Sequence, residues 1–241
     1  MIKEAHTIMV VDSSNTMLLY TSLLLKRFGY TVLTAKSGED ALRIMDDIRP
    51  SVVLSGIMLP KMDGVELLRA IKGSTRHAAI PVVMISSDAD AKQKEDCLKL
   101  GCAAYLPKPV DPSQLYPTLQ AIVESTPRKN IRLAISLKVI IGDNTPEGGE
   151  ARTEYASVLS EGGLYVMTIR PRLKNTVVPL RLYIRDREIP AKAIVLYVNV
   201  LSDGPFDVPG MGVRFVELTD GDRDIIRRFI IEELTRDIQL N

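Results

Sequence analysis

The chain has 241 residues, 46% of them hydrophobic and 25% charged, with a formal net charge of +1, an ordinary globular profile for one large or two small domains. Basic and acidic residues balance at 14 and 14 up to Pro127 and at 17 and 16 beyond it, so neither half is built as a binder of nucleic acid or another polyanion. Two cysteines, two histidines and the lack of HExxH, GxSxG, Walker A and GxGxxG patterns argue against a zinc site, histidine catalysis and nucleotide hydrolysis, and so against an enzyme.

Thr7–Val11 is a short apolar run that predicts a strand. Ser14–Phe28 follows as a helix, with Met17, Leu18, Leu24, Leu25 and Phe28 on one side and Gly29 ending it. Tyr30–Thr34 is a strand, and Ser37-Gly-Glu-Asp40 opens a helix to about Ile48. Val52–Ser55, Pro81–Ile85 and Ala103–Leu106 read as strands. Gly64–Ile71, Ala89–Leu100 and Pro112–Val123 read as the helices between and after them. Five short buried strands alternating with five helices predict an α/β domain with a parallel sheet covered on both faces. Right-handed crossovers make it doubly wound, and ligands in such folds sit at the carboxyl ends of the strands. That edge carries Asp12, Ser55-Gly56, Ser86 and Lys108.

The polar stretch Glu124–Asn130 contains Pro127 and breaks this pattern. A domain boundary is expected there, with residues 1–123 before a 124–130 linker and 131–241 after it. Beyond it the period becomes two. Ile131–Ile141, Thr153–Leu159, Leu164–Thr168, Leu180–Ile184, Ala191–Leu201 and Gly212–Leu218 predict a small six-stranded antiparallel barrel. Ile225, Ile226, Phe229, Ile230 and Leu234 then mark a helix from Asp220 to about Ile238, its apolar stripe covering the barrel. No apolar run reaches the roughly 18 residues that span a bilayer, and MIKEAHTIMVVD has no signal-peptide core. A cytoplasmic protein without membrane insertion is expected. Cys97 and Cys102 have neither metal nor redox spacing and are read as small buried residues.

Five pieces of the first half stand in a telling order: IMVVD (Ile8–Asp12), FGYTVLTAKSGEDAL (Phe28–Leu42), IMLPKMDG (Ile57–Gly64), PVVMISS (Pro81–Ser87) and GCAAYLPKPV (Gly101–Val110). Together they resemble the receiver domain of bacterial response regulators, over about 122 residues, which implies a flavodoxin-like (βα)5 fold. In that family an aspartate ending the third strand accepts a phosphoryl group, an acidic pair after the first strand holds Mg²⁺, and a Thr or Ser and a Lys bind the phosphoryl oxygens. Mg²⁺ demands hard oxygen donors in near-octahedral geometry, and with the lysine it neutralises the transferring group. Here the acceptor position is Gly56 and the acidic pair is Asp12-Ser13, so Mg²⁺ is not expected. Ser86, Lys108 and Tyr105, at the family's aromatic switch position, are retained. Ser55 is one residue off along the strand and faces the other way, with no base evident beside it. Asp63 is read as a helix cap. The resemblance also implies docking or homodimerisation through the face made by the fourth helix, fifth strand and fifth helix.

In the second half, Arg128-Lys-Asn-Ile-Arg132, Ser160-Glu-Gly-Gly163 and GMGVRF (Gly210–Phe215) stand in order. They resemble the PilZ domain, a small barrel that binds the bacterial second messenger cyclic di-GMP through RxxxR and [D/N]xSxxG. The resemblance implies Arg128, Arg132, Ser160 and Gly163 as ligand residues. Arginine forks suit phosphates and the O6/N7 edge of guanine. The acidic or amide position of the second motif is Val158. A guanine donor left unpaired there costs about 1–3 kcal/mol, roughly tenfold to a hundredfold in affinity. The same residues also fit a structural reading, with solvated linker arginines and a plain turn at Ser160–Gly163. Arg170, Arg172, Arg181, Arg185 and Arg187 form a second basic group, read as a solvated strand face because Asp186 and Glu188 interleave with it.

The leading expectation is a non-enzymatic signalling adaptor, in which a receiver that takes no phosphoryl group is joined to a PilZ domain that binds cyclic di-GMP and relays it by domain reorientation to an unidentified protein partner. The alternatives are a ligand-independent protein–protein interaction module and a phosphorylated response regulator.

Overall fold

The computed structural model describes residues 6–87, 90–200 and 208–238. The chain divides into two compact units, the first made of the residues up to Lys129 and those from Thr235 on, the second of Asn130–Leu234.

In the first unit five strands, β1 (Thr7–Val11), β2 (Thr31–Ala35), β3 (Val52–Gly56), β4 (Val82–Ser86) and β5 (Ala104–Pro107), form one parallel sheet in the order β2-β1-β3-β4-β5. All of β3 and β4 is buried, the outcome of Val/Leu/Ile runs covered on both faces. The helices are α1 (Asn15–Arg27), α2 (Gly38–Asp47), α3 (Gly64–Gly73), α4 (Ala91–Lys99) and α5 (Pro112–Val123). Each start has a side-chain cap that satisfies orphan N–H groups: Ser14, Ser37, Asp63, Asp90 and Asp111. Asp63 goes further and forms a capping box with Glu66, each accepting from the other's backbone at 2.8 and 2.9 Å. Gly29 and Gly101, at φ +87° and +91°, close α1 and α4 in the left-handed region. Met9, Val53, Leu67, Leu68, Ile71 and Met84 centre one core layer, with Cys97 and Cys102 among them.

The expected helix from Ala89 begins at Ala91, because Asp90 caps it; Ala89 itself lies outside the described residues. The order of the strands leaves a switch point between β1 and β3. The carboxyl ends of those two strands, with those of β4 and β5, frame the edge where ligands sit in such sheets.

In the second unit β6 (Leu133–Ile141), β7 (Arg152–Ser160), β8 (Gly163–Met167), β9 (Val177–Ile184), β10 (Arg187–Asn199) and β11 (Gly210–Glu217) close into an antiparallel barrel in the order β10-β11-β8-β7-β6-β9. Closure leaves no free sheet edge. Strands β9 and β10 begin earlier than their sequence suggests, because Pro179 and Pro190 do not end them. Pro190 lies in the part of β10 that pairs only with β9, and Pro179 just outside the part of β9 that pairs with β6. A missing N–H is tolerated where one side has no ladder partner. The expected end of β10 at Leu201 lies outside the described residues.

Glycines 210 and 212 are dictated by packing. A Cβ at Gly212 would stand 2.3 Å from the Tyr197 ring, and one at Gly210 would stand 2.9 Å from the Tyr165 ring. The two tyrosines lean over this bare strip and stack at 6.2 Å between centroids. The last helix, α6 (Asp220–Thr235), buries Ile226, Phe229, Ile230 and Leu234. It is fastened at two hairpin turns. Arg223 donates to the Glu161 carbonyl at 3.0 Å, Arg227 pairs with the Glu161 carboxylate at 3.1 Å, and Glu232 pairs with Arg185 at 2.5 Å.

Candidate functional site

At the carboxyl edge of the parallel sheet Asp12 is buried at the end of β1 and forms an ion pair with the Lys108 ammonium. Its other oxygen accepts from the Ser14 N–H at 2.9 Å, at the start of α1. Ser13 donates its hydroxyl to the Met58 carbonyl at 3.1 Å, which ties the loop after β3 to the loop after β1. A Cβ at Gly56 would stand 3.1 Å from Asp12 Oδ2 and 3.4 Å from Lys108 Nζ. Position 56 therefore points into the pocket, and in this chain it supplies no atom there.

Ser55 is fully buried and its hydroxyl donates to the Gly56 carbonyl at 2.9 Å. Ser86 is buried at the end of β4, level with Pro107. Tyr105 donates to Gln93 on α4 at 2.9 Å. The edge thus brings Asp12, Gly56 and Lys108 together, while Ser13 is used by the backbone of the β3–α3 loop. Among the described residues no group of three or more His, Cys, Asp or Glu could hold a metal ion.

On the barrel, β7 and β8 form a two-residue hairpin in which Ser160 is level with Gly163. Ser160 Oγ donates to the Gly163 carbonyl at 2.9 Å. A hydroxyl has one proton and two lone pairs, so what Ser160 offers outward is an acceptor. Gly163 is demanded by the barrel itself: a Cβ there would stand 2.0 Å from the Val213 carbonyl on β11. The pairing with β8 slips between Ala156 and Val158, a bulge at Ser157. Beyond the bulge Leu159 is fully buried, so Val158 and Ser160 share the opposite, outer face. Val158 is level there with Tyr165 on one side and Ala134 on the other.

Leu133 pairs with Leu159. One step earlier, exposed Arg132 is level with Ser160 on the outer face. Asn130 lies against the hairpin turn, where a Cβ at Gly162 would stand 2.9 Å from its amide nitrogen. Arg128 is exposed and belongs by its contacts to the first unit. Its backbone N–H donates to Gln120 Oε1 at 3.1 Å, and Gln120 Nε2 donates to the Tyr30 hydroxyl at 2.9 Å. Gln120 and Tyr30 are both buried. Burial pushes the Tyr30 phenol up from its ordinary value. Neither Gln120 nor the Glu161–Arg227 pair was legible in the sequence, since both depend on side chains meeting across the fold.

The second basic group is not a single solvated face. Arg172 is half-buried against Gly148 and Gly149, Arg185 pairs with Glu232, and Arg181 lies 3.8 Å from Glu188. Arg170, Arg185 and Arg187 are exposed.

Comparison with known proteins matches residues 8–120 to the response regulator receiver domain and residues 125–232 to the PilZ domain. The chain is similar to Protein PilG of Pseudomonas aeruginosa, 34% identical over 118 residues, covering 49% of this chain and 87% of that one. It is similar to Protein PilH of the same organism, 30% identical over 116 residues, covering 48% and 96%. It also matches a probable transcriptional regulator, ycf27, of Cyanidium caldarium at 30% identity over 131 residues, covering 54% of this chain but only 51% of that protein. The chain thus spans about half the length of that relative. Among solved structures, the chemotaxis response regulator CheY4 of Vibrio cholerae is 28% identical, with a TM-score of 0.46, covering 49% of this chain and 98% of that one. No described helix is long and apolar enough to cross a membrane. The chain belongs to the response regulator receiver family, and its receiver domain is followed by a PilZ domain.

Proposed function

We propose that this protein is a non-enzymatic adaptor in which the PilZ domain binds cyclic di-GMP through Arg128, Arg132, Ser160 and Gly163, while the receiver accepts no phosphoryl group. The observation that carries the ligand reading is the register of Arg132 with Ser160 on the outer face of the barrel. It sets a free guanidinium, a donor fork for phosphate or guanine O6/N7, beside a hydroxyl whose lone pairs face outward. Guanine N–H donors suit that acceptor. Isothermal titration of the full chain with cyclic di-GMP tests this reading. Saturable binding that weakens at least tenfold in Arg132→Ala is expected, and no heat at high micromolar ligand would sink it.

The receiver reading rests on the donor set. Among the described residues Asp12 is the carboxylate that position 56 faces and is already paired with Lys108, position 56 has no side chain, and the Ser13 hydroxyl is spent on Met58. That set does not suit Mg²⁺, which needs several hard oxygen ligands. Ser55, buried and bonded to the Gly56 carbonyl, is no substitute nucleophile. Mass spectrometry after incubation with acetyl phosphate and Mg²⁺ is expected to give an unshifted mass.

The relay follows from the linker. A ligand that engages the RxxxR arginines restricts the chain between the two domains, and the output is a change in their disposition that a protein partner reads. The rival reading, a ligand-independent interaction module, is favoured by Val158 beside Tyr165, an apolar pair where the family's second motif has a polar group. Partner capture that is insensitive both to cyclic di-GMP and to Arg128→Ala would select it.

A further inference from the structure

Arg132 stands on one side of the Ser160–Gly163 hairpin. On its other side β11 pairs with β8, and the residue level with Gly163 is Arg214. Its neighbours Val213 and Phe215 are buried, so Arg214 points to the outer face, where it is exposed. Among the described residues its guanidinium has no ion pair and no hydrogen bond. Nearby cations are committed: Arg223 and Arg227 hold Glu161, and Lys192 pairs with Glu217. Across the sheet the outer row therefore reads Arg132, Ser160, Gly163, Arg214. Gly163 has no side chain, so the middle of the row is low between two arginines. Three strand spacings separate the ends, about 14 Å.

We propose that Arg214 is a further ligand-binding residue and holds a phosphate of the cyclic dinucleotide from the side opposite Arg132. This rests on the cyclic di-GMP reading above. The ligand has two phosphates, each matched by a planar donor fork. Arg132 approaches from the β6 side, and among the described residues Arg214 is a free cation on the β11 side of the same hairpin. The second arm offsets the hydrogen bond lost at Val158 without restoring it, because a guanidinium donates and cannot accept. Arg214 stands inside the GMGVRF stretch, but only the β8–β11 register sets it beside Gly163.

The test is titration of cyclic di-GMP into the full chain at two salt concentrations, for wild type, Arg214→Ala, Arg214→Lys and Lys192→Ala, with a thermal melt of each as a fold control. Arg214→Ala is expected to bind about tenfold more weakly at an unchanged melting temperature and with a shallower salt dependence. Arg214→Lys should recover part of the loss, and Lys192→Ala should bind as wild type. Equal affinity of Arg214→Ala and wild type overturns this inference alone. So does an equal loss in Lys192→Ala, which would mark a general charge effect. No binding by wild type removes the cyclic di-GMP reading and this inference with it.

Discussion

The ammonium of Lys108 closes onto the carboxylate of Asp12 across the position where Gly56 supplies no side chain. The pair is nearly out of solvent, with the two side chains 18% and 7% exposed. A charge left alone in such a place is costly, whereas a satisfied pair is close to neutral against its desolvation. Lys108→Ala is expected to lower stability by about 3 kcal/mol, read as a fall in the urea midpoint followed by helix ellipticity. Wild type should show no shift of that midpoint with millimolar MgCl₂, because the carboxylate already has its cation. A magnesium-dependent rise in wild type would contradict this account of the pocket.

Val158 is half-buried on the outer face, two residues before Ser160. Val158→Asp sets a carboxylate acceptor on the same face as that hydroxyl. If guanine N–H donors lie there, affinity for cyclic di-GMP should rise roughly tenfold to a hundredfold. Parallel titration of the two proteins reads the difference. An unchanged dissociation constant would place the guanine elsewhere on the barrel.

Two glycines of the barrel should respond to alanine as packing residues. Gly212→Ala puts a methyl 2.3 Å from the Tyr197 ring, and overpacking of this kind costs about 1–3 kcal/mol. Adding Tyr197→Leu should return much of the loss, a non-additivity expected of residues in contact. Gly163→Ala meets the Val213 carbonyl at 2.0 Å, which backbone cannot easily yield. Loss of ligand binding in that variant should come with a lower melting temperature, and thus report the barrel before it reports the ligand.

Burial raises the thiols of both cysteines, Cys102 to about 11 with the neighbouring Cys97 adding to the effect. The neutral thiol is favoured in the folded state, so its stabilising contribution is whole below the ordinary value of 9.0 and is lost as pH rises toward 11. Receiver stability should therefore fall between pH 9 and 11 in wild type and fall less in Cys102→Ala. Iodoacetamide at pH 8 should label neither cysteine until the protein is unfolded.

The strands of the receiver sheet were legible because each is a short apolar run bounded by turn residues, and the helix ends because Ser14, Ser37 and Asp63 are strong caps. The barrel was harder. Pro179 and Pro190 look like breaks along the chain, and only the ladder partners of each residue make them harmless. At the candidate sites the residue types at Gly56, Lys108, Arg132 and Ser160 stand in the sequence. What it does not contain is who faces whom. Ser13 with Met58, Gln120 with Tyr30, and Arg214 with Gly163 join positions 45, 90 and about fifty residues apart, and no local period reports such pairs.

Glu161 sits at the tip of the β7–β8 turn with its carbonyl and its carboxylate both held by arginines of α6. The last helix is thereby the splint of the hairpin that presents Ser160. A barrel cut short before Asp220 would keep all six strands and every residue of both sequence motifs, yet its hairpin tip would swing without a brace. The minimal piece that behaves like the whole domain therefore includes α6, and mobility of that helix would pass directly into the outer face where Ser160 and Arg214 stand.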